Sequence, residues 1–263
     1  MKLSIITVNL NNKDGLQKTI DSVISQTYKD FEWIIIDGGS TDGSKELIEK
    51  YSNHISYWVS EPDKGIYNAM NKGIKQAHGE YLQFLNSGDI YFEDNTLKQV
   101  VKFLINEDIV YGYAVIKNNN TNKRVNIRHE IISCYDLTRN TINHQCAFIK
   151  KKLFDIFGLY DENYKIVSDW KFFFDVIAIQ KCSTKHINLD IIIYDTTGIS
   201  QTNSIEMENE RREILRLYLP EYAIDDYISR FQINEILRHK STRFLLAALY
   251  RLTIKMEEWN FLH

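Results

Sequence analysis

The chain has 263 residues, of which 44% are hydrophobic and 25% charged, with a formal net charge of −3. These proportions fit a soluble globular protein with a sizeable core, and 2 Pro and 11 Gly exclude collagen-like, linker-rich and disordered classes. The near-neutral charge excludes nucleic-acid binding by bulk electrostatics. The 3 cysteines (Cys134, Cys146 and Cys182) are odd in number and lack CxxC spacing, so they form neither a disulfide framework nor a zinc site and fit a reducing, cytoplasmic setting. The apolar run at 3–8 is too short for a signal-peptide core, and no stretch approaches the ~18 apolar residues of a membrane span.

In chain order, residues 3–8 form a continuous β-branched run, read as a strand buried on both faces. Residues 15–26 carry Leu16, Ile20, Val23 and Ile24 at helical spacing. A second strand is predicted at 31–36, a helix at 44–51, a third strand at 55–59, a helix at 66–76 and a fourth strand at 81–85. Strand–helix–strand repetition with non-alternating strands predicts right-handed crossovers and an α/β fold with an open, mostly parallel sheet flanked by helices. Beyond a helix at 94–105 the pattern changes. Runs at 109–116 and 124–128 flank an Asn-rich loop and predict a hairpin, and further strands are expected at 143–149 and 184–194 around a helix at 169–179. Helices are predicted at 205–217, 225–238 and 242–260. A boundary is placed near Thr202, dividing a domain of residues 1–202 from a helical tail of 203–263.

In an open α/β sheet, ligands bind at the carboxyl ends of the strands. Four loops follow those ends here: 9–13, 37–43, 61–65 and 86–89, all polar and three bearing carboxylates. The first lacks GxGxxG, and no Walker A motif is present, which argues against a nicotinamide oxidoreductase and against phosphate held by one glycine loop. In Asp37-Gly38-Gly39-Ser40-Thr41-Asp42-Gly43 the glycines admit a planar group to the backbone, and Asp37 can accept from an imide N–H such as that of uracil. A turn with a helix N-cap explains the same residues. In Asn86-Ser87-Gly88-Asp89 the carboxylate is suited to a divalent ion, and a simple turn is the alternative.

Taken together, SIITVNLNN, DGGSTDGS, SEPDKGIYNAMNKGI and LQFLNSGD resemble family 2 glycosyltransferases of the GT-A fold, of the type that builds bacterial surface polysaccharides. The resemblance covers residues 1–89 strongly. It continues more weakly through Asn143-His144-Gln145 and Ile166-Val167-Ser168-Asp169-Trp170 to Gly198-Ile199-Ser200. It implies an inverting transferase that moves a sugar from a nucleotide-diphosphate donor, UDP-linked, to a glycan or lipid-linked acceptor. Thr7 and Asn9 would line the nucleoside pocket, Asp37 would read the base, Asp63 and Lys64 would lie near the nucleoside and diphosphate, and Asn71 and Ser87 would face the donor. Asp89 would hold Mg²⁺ or Mn²⁺. His144 is either a further metal or phosphate contact or a core histidine. Asp169 would be the general base, weighed against a plain helix-capping role. The family motif is rich in aspartate, whereas this chain has Asn86, Ser87 and Gly88 before Asp89, so a cation would lean on Asp89, diphosphate and water. That departure is the support for the alternative, a non-catalytic nucleotide-sugar-binding protein.

Leu245, Leu249, Leu252, Met256 and Trp259 share one stripe of the last predicted helix, among Arg243, Arg251 and Lys255. This helix is expected to pack on the catalytic domain or on a second subunit of a homodimer. The competing reading is peripheral contact with the anionic inner face of the cell membrane.

Overall fold

A computed structural model describes residues 1–118, 121–126, 132–195 and 204–226. Nine strands make one mixed sheet. They are β1 (Leu3–Asn9), β2 (Phe31–Asp37), β3 (Tyr57–Ser60), β4 (Tyr81–Phe84), β5 (Ile90–Tyr91), β6 (Ile109–Asn118), β7 (Thr121–Val125), β8 (Ala147–Lys150) and β9 (Thr184–Ile193). The helices are α1 (Lys13–Ile24), α2 (Ser44–Lys50), α3 (Ile66–Gln76), α4 (Thr96–Val100), α5 (Cys134–Arg139), α6 (Lys151–Phe157), α7 (Ser168–Phe173) and α8 (Ser204–Arg216).

Strand order is β3-β2-β1-β4-β8-β6-β9-β5, with β7 beside β6. β1 runs parallel to β2 and β4, and β2 runs parallel to β3, with Asn9 level with Asp37 and Asp37 level with Ser60. β8 then joins antiparallel to both β4 and β6, while β9 runs parallel to β6. Every residue of β1 is buried, as its unbroken apolar run requires. One face packs on Leu16, Ile20 and Val23 of α1 within a cluster that includes Leu3, Ile5, Trp33 and Ile35. The other face meets α3, where Gly73 lies against Ile6 so closely that a Cβ would overlap the Ile6 side chain. That contact brings the start of α3 to the strand ends where the site lies.

Strands and helices of the first ninety residues fall where the sequence places them, and the sheet is mixed beyond β4. The predicted 94–105 helix is α4 followed by a 3-10 turn, and the two-residue β5 was not foreseen. The hairpin closes one turn earlier than expected, at β7, because Asn118 pairs directly with Thr121. The predicted 143–149 strand begins only at Ala147, since His144–Cys146 form a 3-10 turn. Two compact units divide at Arg211/Arg212, inside α8. The second contains an ion network of Arg212 and Arg216 with Glu221 and Asp225. The predicted helix 242–260 and most of 225–238 lie outside the described residues.

Candidate active site

A cavity of about 430 Å³ opens in the unit of residues 1–211, walled by the ends of β1 and β4, the start of α3, the turn before β8, the start of α7 and the residue after β9. One wall is formed by Asn9, Asn12, Asp63, Asn86, Ser87 and Asp89. Asn12 ties its loops together: its Oδ1 caps α1 at the Gly15 N–H, and its Nδ2 donates to the Ser87 carbonyl at 3.1 Å. Gly88 has φ +105°, and a Cβ there would collide with the Asp195 carboxylate, so glycine permits the approach of β9's end to Asp89. The Asp195 N–H donates to Asp89 Oδ1 at 2.9 Å. Asp89 is 3% exposed. Burial pushes its carboxyl up to about 7, against the hydrogen bonds of the Asp195 N–H and Gln145 and the charge of His144.

Asp169, in the first turn of α7, lines the same cavity. The N-cap is Val167, without a side-chain cap bond, and Asp169 accepts from the Trp170 N–H in the same first turn as well as from partners on other elements. Tyr67 Oη donates to Oδ1 at 2.8 Å, and His144 Nδ1 lies 2.7 Å from Oδ2. Burial works to raise the Asp169 pKa, but the bond and charge of His144 and the Tyr67 bond outweigh it, so the group is held ionised below the usual carboxylate range. The other ring nitrogen of His144 faces Asn86 Nδ2 at 3.3 Å. A chain Asn86–His144–Asp169–Tyr67 therefore links the loop after β4 to α3, and the 3-10 turn before β8 carries its His144. Trp170 lines the same cavity, with its Nε1 donating to the Leu137 carbonyl at 2.7 Å.

A family model described as Glycosyl transferase family 2 matches residues 4–158. The chain belongs to glycosyl transferase family 2. A "PGL/p-HBAD biosynthesis glycosyltransferase" of Mycobacterium tuberculosis is 29% identical over 219 residues, covering 80% of this chain and 82% of that one. An uncharacterized glycosyltransferase of the same species is 31% identical over 204 residues, covering 75% and 76%. Among solved structures, S. aureus TarS 1-349 in complex with UDP-GlcNAc shares the fold with TM-score 0.66 at 18% identity, covering 88% of this chain and 72% of that one. The mannosyltransferase PcManGT from Pyrobaculum calidifontis, in complex with GDP-Man and Mn²⁺, has TM-score 0.65 at 14% identity, covering 96% and 80%. The fold is that of the GT-A glycosyltransferases, and the protein is a glycosyltransferase.

Of the residues singled out in the sequence of this family 2 transferase, Asn9, Asp63, Ser87, Asp89, His144 and Asp169 share the cavity wall. Four do not line it. Thr7 is fully buried and accepts from Trp33 Nε1 at 3.0 Å. Asp37 is fully buried and accepts from Asn9 Nδ2 at 2.7 Å, Ser40 Oγ at 2.6 Å, Ser60 Oγ at 2.6 Å and the Ser40 N–H at 2.9 Å. These bonds outweigh burial and hold its pKa below the usual value. Asn71 bonds the Tyr160 backbone in both directions and Glu162 Oε1, and so anchors the loop before α7. Lys64 is exposed on the loop beside Asp63.

The sequence reading missed Tyr67, Asp195 and Arg211. Asp195 was findable by the strand-end rule applied to β9. Tyr67 sits one turn into a motif already singled out. Nothing in the α8 sequence separates Arg211 from Arg212 or Arg216.

Among the described residues no three His, Cys, Asp or Glu side chains gather as a metal-ligand cluster. Asp89 and Asp195 nonetheless suit a hard divalent ion shared with a diphosphate. They are oxygen donors brought together by the Asp195 N–H bond to Asp89, and buried Asn86 Oδ1 has no hydrogen-bond partner among the described residues.

Proposed function

We propose that this transferase moves a hexose, with inversion, from a UDP-linked donor to a hydroxyl of a glycan or lipid-linked acceptor in bacterial surface polysaccharide synthesis. The observation that carries the reading is two carboxylates in one cavity: buried Asp89, bonded by the Asp195 N–H, and Asp169, bonded by Tyr67 and His144. The neighbours crystallised with UDP-GlcNAc and with GDP-Man support a nucleotide-sugar donor.

In this mechanism Asn9, Asn12 and Ser87 orient the donor by hydrogen bonds, with Asp63 and Lys64 beside them. Asp89 and Asp195 would hold Mg²⁺ or Mn²⁺, with His144 as a further contact, and the ion would offset the charge that builds on the departing diphosphate. Asp169 receives the acceptor proton. Its oxygens accept bonds from Tyr67, His144 and the Trp170 N–H and still leave a lone pair for the proton. As the acceptor O–H bond breaks toward Asp169, the new C–O bond forms at the anomeric carbon while the diphosphate leaves on the opposite side, which gives inversion. Trp170 closes the cavity beside Asp169 against water.

A thermal-shift screen over UDP-, GDP- and dTDP-sugars with Mn²⁺ tests the donor assignment. A rise confined to UDP-sugars supports it, and a rise with GDP- or dTDP-sugars alone overturns it. Donor hydrolysis with and without Mn²⁺ separates an enzyme from the non-catalytic alternative.

A further inference from the structure

We propose that Arg211 seats an anionic group, a carboxylate or a phosphate, carried by the acceptor glycan. The proposal rests on the transferase reading above and names a chemical class of acceptor for it. Arg211 reaches the cavity from α8, with its guanidinium carbon 5.2 Å from the Trp170 ring centre. Its Nε is buried and has no hydrogen-bond partner among the described residues. Burial pulls its pKa below the ordinary value, with the charges of Asp169 and Glu208 acting against that.

A buried N–H donor without an acceptor is costly, and the cost is removed when a ligand supplies one. A guanidinium stacked on an indole face keeps its planar fork for an anion that can be held by two parallel bonds. The charges acting on Arg211 are those of Asp169, Glu208 and Tyr67, whereas those acting on Asp89 are His144 and Asp195. Arg211 thus lies beside the proposed base, which the acceptor hydroxyl approaches. Ion pairing there would fix which hydroxyl of an acidic sugar meets Asp169.

The test reads the arginine Nε–H signals of the full chain by NMR, with that of Arg211 assigned by its loss in Arg211→Lys. Methyl β-glucuronide and glucose 6-phosphate are titrated against neutral methyl β-glucoside, with UDP as a separate arm. The expected result is that the acidic sugars move the Arg211 signal and the glucoside does not. Arg211→Gln then weakens the acidic sugars by about tenfold or more, as for loss of a charge-assisted bond, while UDP still raises the melting temperature. Arg211→Lys, which keeps the charge without the fork, falls between, and it serves alone if the glutamine variant does not fold. The proposal is overturned if no acidic sugar moves the signal, if UDP moves it as much as they do, or if Arg211→Gln weakens acid and neutral sugars alike. Failure of UDP to raise the wild-type melting temperature would instead break the transferase reading itself.

Discussion

Asp169 is reached by Tyr67 from α3 and by His144 from the turn before β8, so its geometry depends on two distant stretches of chain. Asp169→Asn keeps the volume but removes the proton acceptor. Transfer is expected to fall by about 10²–10⁴-fold while the donor-induced thermal shift is retained, and full transfer activity in the variant would refute the assignment. Asp37 makes a different kind of prediction. Its folded pKa lies below the unfolded value of about 3.9, so its contribution to stability is complete above that value and is lost as pH falls through the lower folded one. Asp37→Asn should lower the melting temperature at neutral pH and flatten its decline between about pH 5 and 3. A parallel decline in both proteins would mean the Ser40, Ser60 and Asn9 bonds carry no such linkage.

At the scale of elements, α3 places Tyr67 and holds its place by close contact with β1. Gly73→Ala should cost about 1–3 kcal/mol in chemical denaturation, because the added methyl meets Ile6 in a closed interface. Asn71→Ala should cost about 1–3 kcal/mol as well, by leaving the Tyr160 backbone groups unpaired, and should lower activity through the displaced α7 loop. Equal activity per folded molecule would separate that loop from the site. β1, β2 and α3 were legible in the sequence because burial on both faces or on one stripe writes itself as an apolar pattern. The turn at His144 was not, because its ring leaves the ladder for Asp169, a partner only the fold supplies. Thr7 and Asp37 sit at strand ends as expected, yet Trp33, Ser40 and Ser60 already occupy them, and no spacing rule reports a partner that sits on another element. Arg211 was hidden for the same reason, since its distinction from its helical neighbours is the Trp170 ring beneath it.

For the whole molecule, no helix among the described residues is long and apolar enough to cross a membrane. The tail reading favoured by the sequence predicts that removing residues 242–263 leaves flotation on anionic vesicles unchanged. Flotation that disappears with the tail would establish the membrane reading in its place. The sheet itself has a joint. β8, four residues long, meets β4 through Tyr81↔Lys150 and Leu82↔Ile149 and carries β6 and β9 on its other side. Asn86 stands on one side of this seam, and His144 is tethered directly to it. The donor and base residues are therefore joined across a suture of only two residue pairs, so a substitution at Lys150 or Ile149 would reach the cavity without touching its lining.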